Sequence, residues 1–322
     1  DEELLELIQQ DDQRLVAPQM VGCPGQEGEQ RQRRQLLGVR CGGQDGLFDP
    51  CYGLAGVVDA VADGVEGVEV GSEVVFDPGL SCGRCEYCLA GEQSLCIRFG
   101  VLGEHSDGTF ADYVVVAADS LAPRPSHLSW DESAAFGLAH LTAWRMLLNR
   151  GGLRPGETVL IHGIGGGVSM ACLQLAKMVG ARVIVTSRNE EKLRRAVELG
   201  ADEALPSDDQ VARSVRGLTA KRGADVIVDS VGEATWMQSL KSAAKGGRIV
   251  TCGATSGPNP AEEIRLIFWN QLSIIGSTMG SRSDWRNLVG AVNAHRLEPV
   301  VDTVIGLSDG RKAYERMEEA EQ

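Results

Sequence analysis

The stretch from Glu157 to Ser187, ETVLIHGIGGGVSMACLQLAKMVGARVIVTS, decides the fold. It opens with the apolar run ETVLIHG and closes with a second one, ARVIVTS, both rich in β-branched residues. Between them a glycine-rich turn leads into VSMACLQLAKMVG, whose apolar residues recur with helical spacing. This order of strand, glycine turn, helix and strand predicts one unit of a parallel sheet buried on both faces.

The same alternation continues towards the C-terminus. Helical stretches are NEEKLRRAVELG and ATWMQSLKSAAKGG, and strand-like runs are GADVIVDSVG, RIVTCGA and LSIIGST. Several apolar strands that alternate with helices are typical of a doubly wound α/β fold that binds a dinucleotide. We therefore predict a Rossmann-type nucleotide-binding domain in this half of the chain.

The glycine-rich turn after the first strand is the predicted cofactor site. Glycines let backbone N–H groups approach a pyrophosphate, and the helix N-terminus adds its dipole. The predicted cofactor-binding residues are Gly163, Gly165, Gly166, Gly167 and Val168. Ser169 takes the place of a last glycine, and we expect it to pack closely and to cap the helix. The alternative interpretation is a tight turn without a ligand.

The end of the second strand indicates which cofactor is bound. An NAD-specific site places an acidic residue there for the ribose 2′-hydroxyl, whereas this chain has Ser187 and Arg188. A hydroxyl and a guanidinium suit a 2′-phosphate, and Lys192 follows one helical turn later. The pattern favours NADP and leaves NAD possible. Arg188 and Lys192 facing solvent, near Glu190 and Glu191, is the alternative.

A second motif lies in the first half of the chain, in SCGRCEYCLAGEQSLC from Ser81 to Cys96. Its spacing, C-x2-C-x2-C-x7-C, lets a small loop direct four thiolates at one ion, and the predicted ligands are Cys82, Cys85, Cys88 and Cys96. Four cysteines complete the tetrahedral coordination of zinc and leave no position for substrate, which predicts one structural zinc per chain. A disulfide-bonded or free-thiol loop and an iron–sulfur cluster are the alternatives.

Composition limits the classes of partner. The chain has 322 residues, 43% of them hydrophobic, and a formal net charge of -14. This charge argues against a nucleic acid or an anionic membrane as partner, and basic residues interleaved with aromatics are missing. The acidic opening, DEELLELIQQDDQR, does not resemble a signal peptide, and no apolar run approaches the ~20 residues of a membrane span. We expect a cytoplasmic protein, in which clustered cysteines bind metal rather than form disulfides.

The motifs together resemble a known family. The cysteine loop, GTFADYVVV, LTAWRML, GIGGGVS with QLAK, and LSIIGSTMGSRSD follow in the order found in zinc-containing alcohol dehydrogenases and quinone oxidoreductases. From about Gly53 onward the chain resembles this medium-chain dehydrogenase/reductase superfamily. The resemblance implies a GroES-like, β-rich catalytic domain over residues 1–125 and 294–322, and a Rossmann domain over 126–293. GVVDAV and GSEVVF would be strands of the former, and SWDESAAFGLAHLTAWRMLL the helical passage between the two.

The resemblance also assigns residues to the cofactor cleft. Thr142 falls where the family has a threonine beside the nicotinamide, and Gly253 and Ser277 fall on strand ends that line the same cleft. Ordinary packing and turn geometry are the alternative for all three.

A catalytic zinc is not predicted. Cys41 stands where the family has its first ligand, but Tyr52 and Gly53 replace the histidine and the acid, and Leu138 lies near the later ligand. One ligand out of three does not make a zinc site. His105 is then the candidate for proton transfer, although a structural histidine is the commoner explanation.

These observations predict an oxidoreductase that transfers hydride between NADP(H) and a carbonyl, quinone or enone. A zinc-dependent alcohol dehydrogenase and a nucleotide-binding protein without turnover are the alternatives. By analogy with relatives, which pair their sheets near LSIIGSTMG, we expect a homodimer or homotetramer.

The first fifty residues do not fit this picture. The segment GCPGQEGEQRQRRQ is rich in glutamine, arginine and glycine and does not alternate, so it cannot bury a sheet face. We predict disorder there, and a shifted reading frame upstream of about Gly53 is a hypothesis.

Overall fold

The structure, a computed structural model, describes residues 36–41 and 55–318. Within these ranges the chain forms one antiparallel sheet, one parallel sheet and a short two-stranded ladder. No helix in the described ranges is both long enough and apolar enough to cross a bilayer.

The antiparallel sheet has the order β6-β1-β2-β3-β7. Its strands are β1 (Leu36–Cys41), β2 (Ala55–Val61), β3 (Glu73–Phe76), β6 (Tyr113–Ala117) and β7 (Leu121–Pro123). Along β6 the exposed Tyr113 and Val115 alternate with the buried Val114 and Val116, as expected for a sheet with one face on a core. The strands predicted from GVVDAV and GSEVVF are confirmed.

Strand β1 corrects part of the prediction for the first fifty residues. Leu36–Cys41 pairs with β2 on one side and with β6 on the other, so this segment is an ordered central strand. The disorder predicted for residues 22–35, and the hypothesis of a shifted frame there, lie outside the described residues.

The cysteine motif projects from this sheet as a separate loop. The ladder of β4 (Gly79–Leu80) with β5 (Gly100–Val101) closes its base. Helix α1 (Glu86–Leu89) and a 3₁₀ turn (Gln93–Leu95) lie within it. We call residues 79–101 the zinc loop.

A helical passage follows β7, as the resemblance implies. Helix α2 (Trp130–Ala135) begins at a capping box formed by Ser129 and Glu132. Helix α3 (Gly137–Trp144) continues directly into a π-helical segment (Arg145–Arg150). Such π-helical turns within α-helices are frequent at functional sites.

The parallel sheet has the order β10-β9-β8-β11-β12-β13. Its strands are β8 (Thr158–Ile161), β9 (Arg182–Ser187), β10 (Glu203–Pro206), β11 (Ala224–Val228), β12 (Ala243–Thr251) and β13 (Ser273–Gly276). Counted from β8, this is the 3-2-1-4-5-6 order of a dinucleotide-binding fold, and the order reverses between β8 and β11. The predicted doubly wound fold is confirmed.

The remaining helices alternate with the strands of the parallel sheet along the chain, and two follow its last strand. They are α4 (Gly167–Val179), α5 (Glu190–Glu198), α6 (Val211–Leu218), α7 (Trp236–Ser242), α8 (Ile264–Asn270), α9 (Arg282–His295) and α10 (Gly310–Glu318). The predicted helix ATWMQSLKSAAKGG is too long, because Ala243 already begins β12, where it is buried and paired with Ala224. Strand β10 and helices α6, α8, α9 and α10 were not predicted from the sequence.

Candidate active site and metal site

The glycine-rich turn lies between β8 and α4, next to the point where the strand order reverses. Gly163 and Gly165 have φ values of +68° and +115°, which disfavour a residue with a Cβ atom. Gly166 precedes α4, and among the described residues no side chain caps this helix. The first N–H groups of α4 are therefore available to an anion at the positive end of the helix dipole.

Ser169 stabilises the turn in a different way from the one predicted. It is buried, as expected, but its hydroxyl donates to the carbonyl oxygens of Gly163, at 2.9 Å, and Gly166, at 2.8 Å. It therefore does not cap α4, because a cap must accept from the helix N–H groups. The predicted cap is wrong, and the hydroxyl instead bridges two carbonyl groups within the glycine-rich turn.

A cavity of about 340 Å³ opens beside this turn. Gly165 and Gly167 line it together with the cationic side chains of Lys192 and Arg195 on α5. The stem of Lys192 covers Gly165 so closely that a Cβ atom there would lie 2.6 Å from its Cδ. The structure thus brings Lys192 to the glycine turn, next to which a bound phosphate would lie.

The end of β9 presents Ser187 and Arg188 at the same edge of the sheet. Ser187 is buried, and its hydroxyl accepts from the N–H of Asn189 at 3.2 Å. Arg188 is exposed and forms no ion pair with any described residue. Its guanidinium is therefore free to bind an anion at the carboxyl end of the strand.

The remaining predicted cofactor residues lie on three separate elements. Gly253 is exposed just beyond β12, and Ser277 follows β13 directly. The hydroxyl of Ser277 is buried and has no partner among the described residues, which suits a polar ligand group. Thr142 is buried on α3, where its hydroxyl donates to the carbonyl of Leu138 at 2.9 Å.

His105, the candidate for proton transfer, and His140 have different environments. His105 is exposed on the turn after β5, where its Nδ1 accepts from the N–H of Val101 at 3.2 Å. It is not among the described residues that line the cavity, so its catalytic role stays a prediction. His140 does line the cavity, and its Nε2 lies 2.9 Å from Oε1 of Gln174. Because Gln174 Oε1 can only accept, His140 carries its proton on Nε2.

Burial keeps His140 neutral and makes stability depend on pH. Desolvation lowers its pKa from 6.5 to about 4, although the hydrogen bond with Gln174 acts in the opposite direction. Between these two pH values the unfolded chain binds a proton that the folded chain does not, so the free energy of unfolding falls as the pH decreases. We expect His140→Gln to remove about 3 kcal/mol of this decrease. Chemical denaturation from pH 7 to 4 measures it.

The surface residue His295 supplies the control, since His295→Gln makes the same exchange at an exposed histidine and leaves the buried His140 intact. A His140→Gln profile as steep as that of the parent would contradict the assignment.

Asp229 was missed by the sequence analysis. It follows β11 at the reversal of strand order, is fully buried, and accepts from the N–H groups of Val231 and Gly232. The hydroxyls of Thr235 and Ser239 donate to the same carboxylate at 2.6–3.0 Å. The available signal was an acid directly after an apolar strand and before a glycine, in VDSVG. Its charge fixes the turn that faces the glycine-rich turn.

The zinc loop brings all four predicted ligands together. The sulfur atoms of Cys82, Cys85, Cys88 and Cys96 lie within 4.8 Å of one another. Cys85 Sγ and Cys88 Sγ are 3.5 Å apart, and Cys82 Sγ and Cys88 Sγ are 3.9 Å apart. A tetrahedral ion with Zn–S bonds of about 2.3 Å needs sulfurs about 3.8 Å apart, so the cluster fits zinc.

The surroundings of the sulfurs also suit a metal. The N–H groups of Cys82 and Arg98 donate to Cys96 Sγ at 3.2 and 3.3 Å. A hydrogen bond from the backbone of Arg84 lowers the pKa of Cys82 to about 6, whereas desolvation raises the pKa of Cys88 to about 12. A divalent ion at the centre favours the thiolate form of every ligand. The cluster is also the one group of three or more metal-ligating side chains found within the described ranges.

The positions considered for a catalytic zinc are only partly described. Tyr52 and Gly53 lie outside the described residues, and of Cys41 only the backbone, at the end of β1, is described. Leu138, near the family's later ligand, packs against the hydrophobic core.

Comparison with known proteins gives matches to both halves of the chain. Residues 10–126 match the alcohol dehydrogenase GroES-like domain, and residues 167–294 match the zinc-binding dehydrogenase domain. The first match begins at residue 10, so similarity to the family extends further towards the N-terminus than the motif resemblance from Gly53.

Individual relatives match over most of the chain. It is 33% identical over 275 residues to an alcohol dehydrogenase of Geobacillus stearothermophilus, covering 83% of this chain and 79% of that protein. It is 32% identical over 268 residues to the acryloyl-coenzyme A reductase of Metallosphaera sedula, covering 83% and 78%. The solved structure of an NAD-dependent alcohol dehydrogenase superposes with a TM-score of 0.81 at 42% identity, covering 92% and 91%.

Proposed function

The chain belongs to the zinc-type alcohol dehydrogenases of the medium-chain dehydrogenase/reductase superfamily, and from this premise we propose that it is an NADP(H)-dependent reductase of carbonyl, quinone or enone substrates. Its zinc serves the structure and not the reaction. We also propose the division into a catalytic domain, residues 1–125 and 294–322, and a nucleotide-binding domain, residues 126–293.

The observation that carries the proposal is the glycine-rich turn beside the cavity. It combines positive-φ glycines, an uncapped helix N-terminus and the adjacent cationic side chain of Lys192. A pyrophosphate needs backbone donors and a favourable dipole, which the uncapped helix N-terminus supplies, and Lys192 adds a positive charge beside the turn. When bound, the reduced nicotinamide supplies the hydride, and a proton completes reduction of the substrate.

The preference for NADP rests on the end of β9. The exposed guanidinium of Arg188 and the hydroxyl of Ser187 complement a 2′-phosphate, and no acid stands at the strand end to bind a free 2′-hydroxyl. The relatives do not supply this preference, since several of them are NAD-dependent alcohol dehydrogenases, and the proposal of NADP rests on Ser187 and Arg188 alone.

The proposed substrate class is supported by the metal ligands that the chain offers. Four cysteines would fill the coordination sphere of a zinc ion in the zinc loop, whereas a catalytic zinc requires an open position. Quinones and enones accept hydride when a hydrogen bond polarises their carbonyl, and they do not require a Lewis acid to form an alkoxide. One relative is named an acryloyl-coenzyme A reductase, and the acryloyl group of that substrate contains an activated double bond, which supports this class.

A zinc-dependent alcohol dehydrogenase is the second candidate. The alcohol dehydrogenases among the relatives favour it, and Cys41 would be its first ligand. It requires a second zinc, and the other ligands of that zinc must come from residues other than Tyr52 and Leu138, which stand near the family's ligand positions.

Zinc content and substrate turnover separate the two candidates. We expect one zinc per chain by elemental analysis, NADPH oxidation with a simple quinone or with methyl vinyl ketone, and no NADP⁺ reduction with alcohols. Two zincs with alcohol oxidation would establish the second candidate instead. Nucleotide binding without turnover on any of these substrates would identify a nucleotide-binding protein and overturn the enzyme assignment.

We further propose that the chain forms a homodimer through β13 and α8. Within the described residues β13 is an edge strand paired only with β12. Beside it Ile264, Phe268 and Trp269 expose 65%, 61% and 75% of their surface. An unpaired strand next to such a patch is complementary to a second copy of itself across a two-fold axis.

Trp269→Glu should dissociate this dimer. A buried tryptophan at an interface contributes about 2 kcal/mol or more, and the new charge adds a desolvation cost, so we expect the dissociation constant to rise at least about 30-fold. Sedimentation velocity measures the mass of both forms. Val70→Glu changes another exposed apolar residue and should leave the mass unchanged; a dimeric Trp269→Glu variant would exclude this interface.

A further inference from the structure

An ionic cluster, buried at Arg145 and Asp284 and partly exposed at Glu92, joins the zinc loop to the helices beside the cofactor cleft. It consists of Glu92, Arg145 and Asp284, which we call the Arg145 relay. Arg145 Nη2 lies 2.6 Å from Glu92 Oε2, and Arg145 Nη1 lies 2.9 Å from Asp284 Oδ2. Only 4% of the side chain of Arg145 and of Asp284 is exposed, whereas 40% of the side chain of Glu92 is exposed. The buried pair of Arg145 with Asp284 holds one geometry, because separating it leaves an uncompensated buried charge. Glu92 approaches the same guanidinium from the protein surface and links it to the zinc loop.

The first end of the relay is fixed by the cysteine cluster. Glu92 lies between the third and fourth ligands, Cys88 and Cys96, and its carbonyl accepts from the N–H of Leu95 at 2.9 Å. The backbone N–H of Arg282, the first residue of α9, donates to Oε1 of the neighbouring Gln93 at 3.2 Å. A metal that draws the four sulfurs together therefore also constrains the backbone from which the Glu92 side chain reaches Arg145.

The second end of the relay reaches the proposed nicotinamide pocket. Arg145 opens the π-helical segment one turn after Thr142, whose hydroxyl lies 3.6 Å from Met279 Sδ. Asp284 forms the capping box of α9 with Ser281, and residues 277–281 lead into it from Ser277. The relay thus holds the helix that carries Thr142 against the segment that carries Ser277.

The π-helical geometry supports a specific role for Arg145. A π-helical segment is a less common continuation of an α-helix and is frequent at functional sites. Asn149, four residues after Arg145 and on the same side of the helix, donates its amide to Asp284 Oδ1 at 3.0 Å. Both oxygens of Asp284 are therefore bound by the π-helical segment.

We propose that Arg145 is a positioning residue through which zinc in the cysteine loop fixes the two walls of the nicotinamide pocket. The zinc then does more than stabilise its own loop, since its occupancy controls the affinity for cofactor. The effect on affinity rests on the proposed NADP(H) function, whereas the mechanical connection between loop and helices does not.

Glu92→Gln in the zinc-loaded protein tests the relay. The variant should keep one zinc per chain, bind NADPH about 10-fold more weakly by fluorescence titration, and exchange backbone hydrogens faster over 145–150 and 282–288. Removing zinc from the parent protein with a chelator should produce the same loss of NADPH affinity and the same faster hydrogen exchange. In Glu92→Gln, the chelator should add little to either change. Glu86→Gln, a matched change of an exposed acid in the same loop, should match the parent in every measurement.

The outcomes separate the relay from the proposed function. Unchanged exchange in Glu92→Gln, or chelation that affects this variant as strongly as the parent, would overturn the relay. If the parent binds no nicotinamide nucleotide, the proposed function fails, and hydrogen exchange still decides the relay. Should Glu92→Gln not fold, Glu92→Asp shortens the side chain by one methylene, keeps its charge, and is expected to show the same exchange pattern.

Discussion

Cys85→Ser should lose the zinc of the cysteine loop and melt roughly 10 °C below the parent protein. A structural zinc contributes on the order of 10 kcal/mol to the segment that it organises. Other contacts hold this loop as well, among them the β4–β5 ladder and the ion pair of Arg282 with Asp77. We therefore expect about 3–5 kcal/mol of the zinc contribution to appear in global unfolding, at 2–4 °C per kcal/mol. Elemental analysis and a thermal melt measure both effects.

Cys252→Ser is the matched control for this variant. It makes the same exchange of sulfur for oxygen at a partly buried cysteine outside the cluster, so it should keep one zinc and melt within a few degrees of the parent. The ratio of NADPH to NADH affinity should not change in Cys85→Ser, because Ser187 and Arg188 lie on the parallel sheet. Unchanged zinc content and melting in Cys85→Ser would refute the zinc assignment.

The parallel sheet and the zinc ligands are the features that sequence predicts well, and both depend on short-range patterns. Buried parallel strands show as continuous apolar runs, such as VLI in β8, and their period is visible within a few residues. The four cysteines lie within one loop, so their spacing alone brings the sulfurs together. In both cases neighbouring residues contain the information.

Contacts between distant residues were not predictable in this way. The Arg145 relay joins positions 53 and 139 residues apart, and no local pattern distinguishes Arg145 from other arginines on amphipathic helices. The start of β12 was missed for a related reason. Ala243 and Ala244 are good helix formers, and it is their pairing beside β11 that places them in a strand.

The cofactor turn is an intermediate case. Its glycines and its position between strand and helix follow from the sequence, and the positive φ values of Gly163 and Gly165 agree with them. The approach of Lys192 to Gly165 does not follow, because it depends on how α5 packs beside the turn. Ser169 shows the same limit, since its direction in the first turn of α4 decides whether it donates or accepts.

Arg188→Asp should reverse the cofactor preference. The parent is expected to bind NADPH more tightly than NADH, because the guanidinium of Arg188 can form charge-assisted hydrogen bonds with the 2′-phosphate. An aspartate at this position repels the 2′-phosphate and can accept from the 2′-hydroxyl of NADH. We expect the NADPH dissociation constant to rise roughly 100-fold, with tighter binding of NADH, both measured by fluorescence titration.

Long-range charge must be separated from direct contact in this experiment. Arg213→Asp makes the same change of charge at an exposed arginine on α6 and should leave the ratio of the two affinities unchanged. Because Arg188 is exposed, salt should screen its contribution, and the parent's preference for NADPH should narrow as the salt concentration approaches 1 M. A parent that prefers NADH would identify NAD as the cofactor. An Arg188→Asp variant with unaltered NADPH affinity would show that Arg188 does not contact the 2′-phosphate.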